Sequence, residues 1–193
     1  MDTTRDTPRA DQSWLKSYYF LRFGVSTAWV VAAFTIARTA PTLAAIMLIA
    51  YPAWDAIANY VDASRSGGLA RNKSQMLNFI VSVITAVAVA QALRQGMHAV
   101  LGVFGVWAVL SGLFQLVTAV RRRKAYGAQW AMILSGAQSG LAGGHMLSKA
   151  ASVLPAGIAD IAPYAAFGAF YFLVSALWLT ISDARRSAKM GAA

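Results

Sequence analysis

The 193-residue chain contains no cysteine and no glutamate. The first absence excludes disulfides, thiolate metal sites and cysteine nucleophiles. The second leaves seven acids, all of them aspartate. Charge of either sign is scarce: 12% of residues are charged, against about 25% in soluble domains. Also missing are a phosphate-binding Gly-x-x-x-x-Gly-Lys-Ser/Thr loop, an HExxH pair, a dinucleotide fingerprint and any closely paired carboxylates. No catalytic residue, metal site or cofactor is therefore assigned, and the chain reads as a non-enzyme.

What the sequence has in quantity is apolar length. Hydrophobic residues make up 58% of it, in six runs: 18–37, 40–61, 76–93, 99–120, 130–147 and 161–182. Each is close to the 17–25 residues that a helix needs to cross a bilayer core. A soluble bundle would carry a polar stripe with a 3.6-residue period, and runs such as AVLGVFGVWAVLSGLFQLV carry none. The expected fold class is an all-α integral membrane protein with six transmembrane helices. A polar tail, 1–17, precedes them and a basic tail, 183–193, follows. The first run is longer than the apolar core of a cleavable signal peptide, so it is read as a span.

The net charge of +10 does not point to nucleic acid, because the cations sit between apolar runs rather than on one basic face. Of the 17 Lys and Arg residues, only Arg38, Arg94 and Lys149 fall on one side of the expected layout. The others, including Arg121, Arg122, Arg123 and Lys124, fall opposite. The positive-inside rule puts that richer side, and both termini, in the cytoplasm. The 121–124 run is a candidate contact for anionic lipid headgroups. Short connections make consecutive helices antiparallel neighbours. The stretch SRSGGLARNKS reads as a flexible link.

Aligning Arg65, Arg121 and Arg185 shows an internal repeat. Asp55, Ser111 and Ser175 correspond, as do Ala56, Gly112 and Ala176. The odd helices align through small-residue stripes: Gly24, Ala28 and Ala32; Ser82, Ala86 and Ala90; Gly136, Gly140 and Gly144. Small residues four apart let helix backbones approach closely. The expectation is three tandem antiparallel helical hairpins, and the stripes could also serve a homo-oligomer.

Several residues are candidates for more than packing. Arg22 lies seventeen residues before Thr39 and Asp55 sixteen after it. In an antiparallel hairpin both sit about 24–26 Å from the turn. An acid inside a span needs a partner or a purpose, and the pair reads as a buried ion pair, with a proton- or ion-responsive site as the alternative. Asn59 extends the Asp55 face. Gln91, Gln115 and Gln138 are isolated polar positions suited to interhelical hydrogen bonds or to a transport path. His98, His145 and Asp160 are expected together at the outer helix ends, where histidines could respond to external acid. Trp14, Tyr18, Tyr126, Trp130 and Tyr164 read as interfacial anchors.

These residues resemble a family, the HdeD-like small membrane proteins built from short hydrophobic repeats. Leu21-Arg22-Phe23-Gly24 is similar to its early Leu-Arg-Gly motif, Pro41-Thr42-Leu43 to its inter-helix proline, and Trp54-Asp55-Ala56-Ile57 to its Asp-Gly-Ile/Leu motif. Here Ala replaces the glycine. The segments 107–121 and 130–144 resemble the later repeats. The resemblance implies a six-helix bacterial inner-membrane protein. For the best-known member it implies a link to acid resistance. The alternative reading is a small-solute or proton-linked transporter or channel subunit.

Overall fold

The computed structural model describes residues 7–122 and 129–191. Among them every regular element is helical: α1 (Thr7–Phe34), α2 (Pro41–Arg65), α3 (Lys73–Ala92), α4 (Met97–Arg122), α5 (Gln129–Ala150), a single 3-10 turn (Ile158–Asp160) and α6 (Ala162–Gly191). Helix α1 starts at Thr7 and α6 runs on to Gly191, so helix reaches into both stretches expected as tails. Arg123, Lys124 and Tyr126 lie outside the described residues.

The connections are short and chemically specified. Pro41 opens α2, where its missing N–H is no loss. The stretch expected as a flexible link is instead an ordered turn. Gly67 and Gly68 adopt φ of 94° and 90°, a region open to glycine at little cost. The Gly68 amide then donates to the Ala63 carbonyl at 2.7 Å, satisfying an orphan acceptor at the end of α2. Asn72 Nδ2 donates to the Ser66 and Gly68 carbonyls at 2.8 and 2.9 Å, which holds the turn from the other side. Gly96, at φ 106°, ends the α3–α4 turn.

Among the described residues, four helices are long and apolar enough to cross a membrane: α2, α3, the Met97–Val117 part of α4, and the Ala162–Arg186 part of α6. Six were expected. Helix α1 carries Lys16 and Arg22, and the described part of α5 is rich in Gly, Ser and Gln, which lowers its hydropathy. The outward surfaces are apolar, with Ile84, Val87, Leu141 and Trp178 each at least 60% exposed. An apolar exterior of this extent fits hydrocarbon rather than water.

The chain divides into two compact units, one formed by the segments up to Val31 and from Ala165, the other by Ala32–Tyr164. In the first, α1 and α6 run side by side. Lys16 Nζ pairs with Asp183 Oδ2 at 3.3 Å, Tyr19 stacks on Phe172 with ring centroids 6.3 Å apart, and the Arg22 guanidinium lies 4.1 Å from the Phe172 ring centre.

In the second unit, α4 packs most extensively on α5, then α2 on α3, with α3 against α4 less so. The α3–α4 contact is one that the hairpin reading expects. The repeat expected first-with-second, third-with-fourth and fifth-with-sixth pairing, but α2–α3 and α4–α5 each straddle an expected repeat boundary. Leu48, Val89, Val100, Leu101, Phe104, Met146 and Ile161 are buried in this unit.

The physical reason for the strong α4–α5 contact is glycine, at a spacing different from the one expected. A Cβ added to Gly112 would meet the Gly136 carbonyl oxygen at 2.5 Å and the Gly140 nitrogen at 2.8 Å. A Cβ on Gly143 would meet the Gly105 carbonyl at 2.6 Å and the Val109 nitrogen at 2.8 Å. Backbone therefore touches backbone at Gly112–Gly136 and at Gly105–Gly143, seven residues apart on both helices. Gly140 and Gly144, expected to share the stripe with Gly136, have open space where a Cβ would go, as does Gly24. Ala28 is exposed and Ala86 half-buried.

Candidate functional site

The polar centre of the second unit is built on α2. Pro52 sits inside that helix, and its ring removes the N–H that would bond the carbonyl four residues back. Tyr51 and Pro52 are buried. One turn further, Asp55 accepts two hydrogen bonds on Oδ2. The Ser82 hydroxyl donates from α3 at 2.8 Å and the Asn59 amide from the next turn of α2 at 3.0 Å. Asn59 Nδ2 also reaches the Asp55 backbone carbonyl at 2.8 Å. Ser82 is 1% exposed and Asn59 9%. Asn59 is thus an interior group.

The α2–α3 seam continues from this point. Tyr60 and Phe79 pack with centroids 5.9 Å apart, and Gln75 Nε2 donates to Asp62 Oδ2 at 3.1 Å. Each contact pairs a later α2 residue with an earlier α3 residue, as antiparallel helices must. Charge-assisted bonds such as Ser82–Asp55 are stronger than neutral ones, so this one fixes the register of the two helices.

A second cluster joins α4, α5 and the start of α6. The Tyr164 hydroxyl lies beside the side chains of Ser111 and Ser139. Trp107 meets Tyr51, Phe104 and Tyr164 edge-on, at centroid separations of 6.0, 5.7 and 5.8 Å, a geometry aromatic rings favour. Tyr164 was expected as an interfacial anchor, but its ring and hydroxyl are both engaged with neighbouring helices. Tyr18 is likewise buried and stacked on Trp14 at 5.1 Å. Nearby, Ser135 Oγ donates to Gln115 Oε1 at 3.2 Å, tying α5 to α4.

Of the remaining candidates, Arg22 lies on α1 and Asp55 on α2. Gln138 is half-buried, and Gln91 is exposed on α3. The outer trio is not a shared cluster. Asp160 pairs with Lys149 and accepts the Gly157 amide at 2.8 Å, which fastens the α5–α6 connection. His98 Nε2 bonds the Leu154 carbonyl at 2.9 Å, and His145 is exposed on α5.

The second unit also holds an open groove of about 660 Å³ between α3 and α4. Gln91 and Gln95 line it; Asp55, Gln115 and Gln138 do not. No group of three His, Asp or Glu side chains that could hold a metal ion occurs among the described residues.

What these features define is an all-helical membrane protein whose interior polar groups bond across neighbouring helices. More particularly, residues 77–148, from α3 to the end of α5, match the family model described as a short repeat of unknown function (DUF308). The match contains both glycine contacts, Ser82 and the Ser111–Ser139 pair. No curated protein and no solved structure matches the chain. Sequence reasoning missed Gly105, Gly143 and Ser139. The signal that could have found the two glycines is the seven-residue spacing Gly105–Gly112 and Gly136–Gly143, which a search for four-residue spacing passes over.

Proposed function

We propose that the chain is a bacterial inner-membrane protein of the HdeD type, crossing the membrane six times with both termini in the cytoplasm. It acts without catalysis, through helix packing, membrane stabilisation and partner contact under acid or envelope stress. The observation that carries this reading is the use made of the interior polar side chains. Asp55 and Ser82, like Gln115 and Ser135, bond across neighbouring helices, and Asn59 braces Asp55 from within α2. The repeat match over α3–α5 supports the family. A transporter would need polar groups converging on a path near the midplane, and the α3–α4 groove is walled mainly by apolar side chains. The basic run Arg121–Lys124 would face anionic headgroups on the cytoplasmic side.

Two measurements test the proposal separately. The absence of cysteine makes single-cysteine labelling direct. A membrane-impermeant maleimide applied to intact cells should label a Gln95→Cys or Val153→Cys variant and leave Ser66→Cys untouched until the cells are opened; the reverse pattern would overturn the topology. Deleting the gene should lower survival after acid challenge. Supplying the wild-type chain should restore it, and the Gly112→Leu variant should not. Equal survival with and without the gene would end the stress role and leave the topology standing.

A further inference from the structure

The groove between α3 and α4 has the dimensions and polarity of a lipid site. It runs from Val81 to Gln95 along α3 and from Ala99 to Leu110 along α4. At 1.5 Å per residue those segments are about 21 and 17 Å long, slightly more than one leaflet of a hydrocarbon core about 30 Å thick. Spread over that length, about 660 Å³ corresponds to a cross-section of roughly 30–40 Å². The groove is long and narrow, a shape that suits a hydrocarbon chain.

Its polarity runs in one direction. The deep wall includes Ala88, Ala92 and Trp107, the last only 5% exposed. The Thr85 hydroxyl is turned back to the Val81 carbonyl at 2.8 Å, so that residue is already satisfied. Gln91 and Gln95 stand at the end nearest the α3–α4 turn, beside exposed Arg94. Helix α3 is the less buried wall, with 22% of its span buried against 39% for α4, so the groove opens sideways.

We propose that this groove binds one anionic phospholipid, with an acyl chain lying along Trp107 and the headgroup held by Gln91, Gln95 and Arg94. The site rests on the reading of α3 and α4 as membrane-crossing helices and is independent of any stress role. The lipid covers apolar surface that the chain itself leaves open, and its phosphate meets the cation at the turn.

The test uses the fluorescence of Trp107, in a variant whose other five tryptophans are phenylalanine. The variant is placed in phosphatidylglycerol vesicles with or without brominated acyl chains. Bromine quenches indole on contact, and a residue this buried is reached only by a chain in the groove. Emission should fall by at least half with the brominated lipid, and Ala88→Phe, which fills the groove, should restore most of it. Arg94→Gln should reduce the preference for phosphatidylglycerol over phosphatidylcholine about fivefold, the worth of one charge near a membrane surface. Unquenched emission, or quenching unchanged by Ala88→Phe, would overturn the proposal. So would a Val106→Cys disulfide between two copies accompanied by unquenched Trp107. If the single-tryptophan variant does not fold, native mass spectrometry of the chain with all its tryptophans decides the matter. Phospholipid should be retained on the wild type and lost from Ala88→Phe; equal retention or none on either would refute the site.

Discussion

Gly112→Ala is expected to be among the most damaging single-methyl changes in this protein. The added carbon would sit 2.5 Å from the Gly136 carbonyl oxygen and 2.8 Å from the Gly140 nitrogen. Both are backbone atoms, so no side chain can rotate away. The helices must separate, and in a membrane their association depends on close packing rather than on a hydrophobic driving force. Overpacking a core costs about 1–3 kcal/mol, and a clash against rigid backbone belongs at or above the top of that range. For a chain of this size about 3 kcal/mol corresponds to a melting temperature lower by roughly 6–12 °C. Gly143→Ala should behave alike, since its added carbon meets the Gly105 carbonyl and the Val109 nitrogen. Gly140→Ala and Gly144→Ala meet nothing within 4 Å and should be neutral, or more stable by up to about 1 kcal/mol from helix propensity. Thermal melts of the four variants in one detergent make the comparison. Equal shifts at positions 112 and 144 would contradict the seven-residue seam.

The second large effect is expected at the α2–α3 seam. Ser82→Ala removes a hydroxyl that donates to a carboxylate at a position only 1% exposed. Hydrogen bonds to charged groups are worth about 1.5–3 kcal/mol, so a loss of about 2 kcal/mol is expected. Asp55→Ala leaves both the Ser82 hydroxyl and the Asn59 amide without that acceptor and should cost more. The two changes share one interaction, so the double variant should be more stable than the sum of the singles implies. Couplings measured between membrane helices reach about 1.7 kcal/mol, and this one belongs near that value because it is charge-assisted. Strictly additive losses in a double-mutant cycle would mean that the Ser82–Asp55 bond contributes nothing to the fold.

Both predictions rest on residues that the sequence had singled out, and the structure gave each a different part. Gly136 was marked as a packing position and is one. Its expected partners in the stripe, Gly140 and Gly144, have open space where a Cβ would go, although the Gly140 nitrogen still lies against Gly112. Two antiparallel helices that pack closely return to the same facing edge about every seven residues, so a four-residue stripe drifts off the contact. Ser82 was marked as a small residue that lets a backbone approach. Its hydroxyl turned out to be the feature that matters, because antiparallel pairing places it against Asp55. Asp55 itself was legible as an acid needing company in an apolar helix. Asn59, one turn on along α2, already shared its face in the sequence, whereas Ser82 on α3 became clear as a partner only once the helices were paired.

Composition and run length by themselves determined that this chain is helical, apolar on its outside and free of thiol chemistry. Those properties follow from local facts: the length of each run, the lack of a polar stripe, and glycine and proline at the turns. Which helices adhere to which was decided only by the tertiary structure. The internal repeat pointed to pairing within each copy, yet the closest packing in the second unit joins α4 to α5 and α2 to α3. The physical reason is that pairing depends on complementary surfaces from two separate segments. Gly105 and Gly112 gain their meaning from Gly143 and Gly136, and Ser82 gains its meaning from Asp55.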